Sequence, residues 1–375
     1  MISKNIEFDF DDILIVPTVN TEITSRYVDI VLPDLLPLFT APMDTVVNLD
    51  NMDDFMDNKI RIALPRTISY DQFKNHVRNK NMQFYSDIFI SMGFDEINRH
   101  HNENNFEIFH ENAHILIDVA NGHMLKVMDF AKKIKLHRPD IKIMVGNIAN
   151  PETYLWYAEN NCVDYIRVGI GNGGGCLTTK QSGVGHPMAS LIYETYQAKQ
   201  RFIDDQAEAA FLNRNNPESI IKRKIVNCLP AIVADGGMKD YSDVIKALAL
   251  GADYVMLGSI FNKALESAGK NYLHGVRLNN KLAGYFYDKG YPVKKYFRGM
   301  STKEAQKAMG KTQIKTSEGI IRYRKVEYHL NGWIENFQHY LRNAMSYADA
   351  NTLDEFIGKV NICQITKSAY DRFNK

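Results

Sequence analysis

A chain of 375 residues with 45% hydrophobic and 24% charged residues has the makeup of a globular protein, and suits one large α/β domain or two smaller ones. Its formal net charge of +1 carries no basic excess that would make nucleic acid a main partner, and no uninterrupted apolar run is long enough to span a membrane. Four widely spaced cysteines, Cys162, Cys176, Cys228 and Cys363, form no CxxC pair, which argues against a disulfide framework or a zinc site and fits a reducing, cytoplasmic setting.

Residues 1–37 read as an N-terminal arm. Its opening, MISKNIEFDFDD, is acidic and lacks the apolar core of a secretory leader, and the aromatic, acidic stretch 8–17 ends at Pro17. Eight short apolar runs then follow in order: 38–43 (LFTAPM), 61–65 (RIALP), 87–92 (DIFISM), 114–119 (HILIDV), 142–146 (KIMVG), 165–170 (YIRVGI), 231–234 (AIVA) and 253–257 (DYVML). Near-continuous apolar runs suit strands of a parallel sheet buried on both faces. Helical patterns separate them, over 49–58, 70–81 and 124–136, from Pro151 onward, and over 242–250, where Gly251 supplies the stop. Eight strands alternating with helices in about 220 residues is the count of a (β/α)8 TIM barrel. A doubly wound open sheet stays open, because periodicity does not report closure.

Two stretches depart from this alternation. Between Pro187 and Leu229 the chain is longer than an αβ connection requires, and reads as an extended, charged helix on the surface followed by a polar loop. From 262 to 327 comes an excursion with no barrel role, of a length that is usually functional or mobile. An amphipathic helix over 334–345 and a last apolar segment, 360–365, belong to a closing C-terminal segment, 328–375.

Polar residues and glycines collect where the apolar runs end: Asp44, Ser91 with Gly93, Asp118 with Asn121 and Gly122, Asn147, Asp235-Gly236-Gly237, and Gly258-Ser259. In such a barrel the active site is built at this end of the strands. The sixth run leads into GNGGGCLTT, which sets Cys176 at the end of a glycine loop with Thr178 just beyond. A lone cysteine is more often a small buried residue, and a DGG or GS is by itself only a turn. So many polar strand ends in succession, with a thiol among them, point to covalent catalysis on a bound ligand.

The ordered series TAPMDTV (40–46), DVANGH (118–123), VGN (145–147), VGIGNGGGCLTT (168–179), GVGHP (183–187), ADGG (234–237), YVMLGS (254–259), RGMS (298–301) and SEG (317–319) resembles the inosine-monophosphate dehydrogenase and GMP reductase family. The resemblance implies a (β/α)8 barrel in a single catalytic domain, a cytoplasmic homotetramer, and no partner beyond a purine nucleoside monophosphate and its cofactor, with neither membrane nor nucleic acid involved. Both branches of the family form a covalent intermediate on the cysteine. Dehydrogenases oxidise IMP with NAD and hydrolyse the adduct to XMP; reductases expel ammonia from GMP and reduce the adduct with NADPH to IMP. DVANG, the TSEG stretch and the lack of an inserted CBS pair after the second run favour the reductase. TAPMDTV, LGS and RGM are spelled as in dehydrogenases. A nucleotide-binding barrel without turnover is a third reading.

Carried over to this chain, the resemblance makes Cys176 the nucleophile and pairs Thr178 with Glu318 for proton transfer. Asp235 would hold the ribose, backbone N–H groups of Gly237, Gly258 and Ser259 would cradle the 5′-phosphate, and Gly236 would belong to the same substrate site. Met300 and Ser301 would lie near the base. Asp118, Asn121 and Gly122, with Ser91 and Gly93, would line the nicotinamide side. Backbone carbonyls of Gly171, Gly173 and Cys176 match a potassium loop. The family usually has a serine two places before the cysteine as a phosphate ligand, and here Gly174 stands in its place. Lys180 and Lys315 stand where arginines are usual.

Overall fold

In the computed structural model, the described residues are 6–78, 80, 85, 87–102, 106–211, 222, 225–226, 228–310, 313–314, 316 and 319–373. The eight apolar runs form eight parallel strands: β1 (Leu38–Thr40), β2 (Ala63–Leu64), β3 (Phe89–Met92), β4 (His114–Asp118), β5 (Lys142–Ile148), β6 (Tyr165–Val168), β7 (Ala231–Asp235) and β8 (Tyr254–Leu257). Each pairs in parallel with its neighbour in chain order, and β8 returns to β1. Between β1 and β2 the ladder is reduced to a parallel bridge, Phe39 to Arg61, with Arg61 N–H donating to the Leu38 carbonyl at 3.0 Å and Thr40 N–H to the Arg61 carbonyl at 2.9 Å. That bridge closes the cylinder, so the fold is a (β/α)8 barrel and not an open sheet.

Alternation along each strand sorts its side chains. Phe39, Phe89, Leu116, Met144, Tyr165, Val233 and Met256 meet inside the barrel as one apolar layer. Phe39, Phe89, Tyr165 and Tyr254 meet there edge to face, with centroids 5.2 to 6.3 Å apart for the Phe39 pairs and for Phe89 with Tyr165. The opposite parity (Ile115, Ile117, Ile143, Val145, Ile166, Val168, Ile232, Ala234) faces the helices in a second, larger core. Leu125–His137 and Tyr241–Ala249 fall within a residue of the expected positions and Pro151–Asn160 opens at Pro151 as expected, while the helix expected over 70–81 is Tyr70–Val77 and ends four residues early. Pro151 occupies the first turn, and the Asn150 side chain accepts from Glu152 N–H.

The expected surface helix after Pro187 is Met188–Phe211, and half of it is core. Leu191, Ile192, Ala198, Ile203 and Ala207 are buried, and Lys199 reaches Asp253 at 2.9 Å. Charge spread along that helix masked an apolar stripe that packs on the barrel. The described part of the excursion also forms regular elements. Its strands β9 (Asn271–Leu273), β10 (Val276–Leu278), β11 (Lys294–Arg298) and β12 (Ile321–Lys325) make an antiparallel sheet in the order β10-β9-β11-β12. The helix Asn280–Asp288 and a small core of Ala283, Val293 and Val326 support it. β9 and β10 are only three residues long and lysines and arginines fill β11 and β12, so no apolar run marks them in the sequence. At the other end of the chain, Ile362–Gln364 pairs antiparallel with Ile13–Ile15 of the N-terminal arm.

Candidate active site

Side-chain parity puts the next inward position of three strands at the C-terminal rim. Two residues above Leu116, Tyr165 and Val233 stand Asp118, Arg167 and Asp235. Arg167 is 6% exposed and lies between the two acids: Nη1 donates to Asp118 Oδ1 at 2.7 Å, while Nη2 and Nε donate to Asp235 Oδ2 at 2.8 and 3.1 Å. Burial works against the guanidinium charge, but Asp235 and then Asp118 outweigh it and raise the pKa further. Asn147 Nδ2 adds a bond to the same Asp235 oxygen at 2.7 Å. Three donors thus converge on Oδ2, and Oδ1 is left for a ligand among the described residues.

These groups form one wall of a cavity of about 620 Å³, a size that accommodates a nucleotide-class ligand. The loop after β6 forms the next wall. Gly171 sits at φ +84°, and a Cβ there would fall 1.8 Å from Thr179 Oγ1, so only glycine allows the loop to fold back on its own helix. Cys176 N–H closes the turn on the Gly173 carbonyl at 2.9 Å. The Cys176 thiol is half-buried, lines the cavity, and lies 3.1 Å from Thr178 Oγ1. Against this loop, Gly236 and Gly237 (φ +84° and +95°) and the Gly258-Ser259 turn line the same space.

The excursion supplies the roof. Gly319 pairs with Cys176 in an antiparallel bridge, and Ile320 N–H donates to the Gly175 carbonyl at 3.2 Å. Met300 and Ser301 face the cavity from the turn after β11. That turn is tied to the barrel by Arg298, whose Nε donates to Asp44 Oδ1 at 3.2 Å and whose Nη2 binds Asp44 Oδ2.

Of the residues singled out from the sequence, Cys176, Thr178, Asp235, Gly236, Gly237, Gly258, Ser259, Met300, Ser301, Asp118, Gly171 and Gly173 line this one cavity. Glu318, with Lys315, lies outside the described residues. Four others stand behind the lining. Ser91 is fully buried at the end of β3, its hydroxyl without a partner among the described residues. Gly93 backs Arg66: a Cβ on it would fall 2.0 Å from Arg66 Nη2, and it is Arg66 that reaches the cavity. Gly122 N–H binds the carbonyl of Asn147 near the end of β5 at 2.7 Å, and Asn121 Oδ1 accepts from His123 N–H at 3.1 Å within the loop after β4.

Arg167 and Arg66 escaped the sequence reading. Arg167 left one signal, a lone cation in the apolar run YIRVGI. Away from the cavity, Glu7, His186 and Glu194 bring ligand atoms within 4.8 Å of one another, but His186 already bonds through Nδ1 to the Ala149 carbonyl at 3.2 Å and through Nε2 to Glu7 at 3.4 Å.

A family model described as the IMP dehydrogenase / GMP reductase domain matches residues 71–208 and 219–372. Curated relatives include the GMP reductase of Buchnera aphidicola subsp. Acyrthosiphon pisum (strain APS), 29% identical over 280 residues, which cover 70% of this chain and 72% of that protein. The GMP reductase of Onchocerca volvulus is 25% identical, with 98% and 93% covered. GMP reductase 1 of Homo sapiens is 26% identical, with 88% and 84% covered.

Proposed function

The chain belongs to the IMP dehydrogenase / GMP reductase family, and we propose that it is an oxidoreductase of the reductase branch, converting GMP to IMP and ammonia with NADPH. The covalent chemistry is supported by the Cys176 thiol, 3.1 Å from the Thr178 hydroxyl, under a roof segment that bonds to its own loop, in the same cavity as Asp235, and the reductase branch by the GMP reductases that match over most of this chain.

The Cys176 sulfur adds to carbon 2 of the purine, and its proton passes toward Thr178. The C–N bond to the exocyclic amine breaks once the nitrogen is protonated, and ammonia leaves; Thr178 with Glu318 handles that proton. A bound reduced nicotinamide would supply the hydride that replaces sulfur at carbon 2, and Cys176 would leave as the thiolate. Asp235 is held through Oδ2 by Arg167 and Asn147, and offers Oδ1 to a ribose hydroxyl. The Gly236-Gly237 and Gly258-Ser259 turns receive the 5′-phosphate on backbone N–H groups. Asp118 and Arg66 lie on the nicotinamide side, with Asn121, Gly122, Ser91 and Gly93 in support. Met300 and Ser301, which line the same cavity, lie near the base.

Potassium would bind the carbonyls of Gly171, Gly173 and Cys176. The Gly173 carbonyl already accepts one hydrogen bond, so these three atoms supply part of a coordination shell. We place the enzyme in the cytoplasm as a homotetramer; its four free cysteines suit a reducing compartment, and no helix among the described residues is long and apolar enough to cross a membrane. The test is the absorbance of reduced cofactor. Loss with GMP plus NADPH, and no rise with IMP plus NAD, is the expected result. A rise with IMP plus NAD alone would make it a dehydrogenase, and silence in both a binding protein.

A further inference from the structure

Strand register sets a further cation, beyond Arg66 and Arg167, at the edge of the cavity. In the β11–β12 pair, Lys295 stands opposite Arg324 and Phe297 opposite Arg322, so these four side chains share one face, while Tyr296 and Tyr323 touch on the other at 5.7 Å between centroids. The shared face is the barrel-facing one, since Lys295 and Phe297 are buried. The Arg324 guanidinium carbon lies 4.1 Å from the centre of the Phe297 ring. Its Nη1 and Nη2 reach the carbonyls of Ser259 and Gly174 at 3.4 and 3.5 Å, both at the outer limit of a hydrogen bond.

Gly174, Ser259 and Phe297 all line the cavity, so this guanidinium stands at the edge of its phosphate end. Its charge is poorly answered. Among the described residues no carboxylate pairs with it, and Glu327, the acid that acts on it, is committed to Lys263 at 3.0 Å. Burial first, and then Arg322, press its pKa below the usual arginine value. A planar fork of donors with two weak carbonyl contacts and a like-charged neighbour is suited to a bidentate oxyanion.

We propose that Arg324 binds the 5′-phosphate of the nucleotide, supplying from the excursion sheet the side-chain donor that Gly174 does not. The proposal rests on the nucleotide reading above. The space agrees: a Cβ on Gly174 would meet Arg324 Nη2 at 3.3 Å and Ser259 Cβ at 3.5 Å, so a hydroxyl there and this guanidinium compete for one position.

The experiment compares GMP with guanosine, which lacks only the phosphate, by calorimetric titration of the full chain. Arg324→Ala should weaken GMP binding by roughly tenfold to a hundredfold and leave guanosine binding unchanged. Arg324→Lys should fall between, and adding Gly174→Ser to Arg324→Ala should recover part of the loss. In steady state the KM for GMP should rise with little change in kcat, the pattern of a contact made equally in ground and transition states. GMP binding by Arg324→Ala as tight as that of the unmodified chain, or equal weakening of GMP and guanosine, would overturn the assignment. If the unmodified chain turns over GMP, such a result removes Arg324 alone; if the unmodified chain binds neither GMP nor IMP, the functional reading goes as well.

Discussion

Replacing Arg167 by methionine removes the cation that stands between Asp118 and Asp235 and keeps most of the side chain's volume. Three hydrogen bonds of 2.7 to 3.1 Å are lost, and two carboxylates whose side chains are 18% and 15% exposed are left facing each other. Breaking a buried pair from one side typically costs about 3–5 kcal/mol, because the remaining charge is uncompensated. With an unfolding entropy of about 2.1 cal/mol/K per residue, 375 residues respond at roughly 0.8 kcal/mol per degree, so the melting point should fall by about 4–6 °C. GMP affinity should fall at least about tenfold, since Asp235 keeps only Asn147 to hold Oδ2. Arg167→Lys keeps the charge but cannot span both acids with one fork, and should recover stability more than binding. Thermal and urea unfolding, beside nucleotide titration, measure all of this. An Arg167→Met protein as stable as its parent would refute the reasoning.

Cys176→Ala should abolish turnover and leave GMP binding nearly intact, because the ribose and phosphate contacts do not involve sulfur; substantial steady-state activity in the purified variant would rule out the covalent route. Burial pushes the Lys295 ammonium from 10.5 down to about 7, against the pull of Glu266. Between those values the unfolded chain keeps a proton that the folded chain has released, so stability rises with pH by up to about 1.4 kcal/mol per unit. Lys295→Met should lose that slope relative to the unmodified chain between pH 7 and 9 in urea unfolding, and an undiminished slope would show that Lys295 is not its source. Arg298→Met cuts the tie from the roof turn to Asp44, and amide exchange in β11 and β12 should quicken by roughly ten- to a hundredfold while the barrel strands stay protected; uniform or unchanged exchange would mean that the roof is held elsewhere.

The eight barrel strands and most of the helices were legible because each is specified by neighbours in the chain. A strand buried on both faces must be apolar throughout, and a helix start such as Asn150-Pro151 carries its own cap. The glycine loop and the polar strand ends were legible for the same reason, as local exceptions to a local pattern. The excursion sheet was not. One of its faces is solvated and its barrel-facing side carries Lys295, Arg322 and Arg324, so it shows neither an apolar run nor a clean alternation. The helix Met188–Phe211 misled by its charge, although buried Lys199 is paired with Asp253.

What the sequence by itself determined is therefore the repeating strand–helix unit and the presence of a thiol among glycines at one end of it. Closure through the Phe39–Arg61 bridge, and with it the site, was decided by tertiary structure. Arg167 meets carboxylates 49 residues before it and 68 residues after it, and Arg324 meets Gly174 across 150 residues. No local pattern encodes such pairings. They exist because the inward parity of separate strands converges on one rim when the barrel closes, and because the returning sheet lays its cations against that rim.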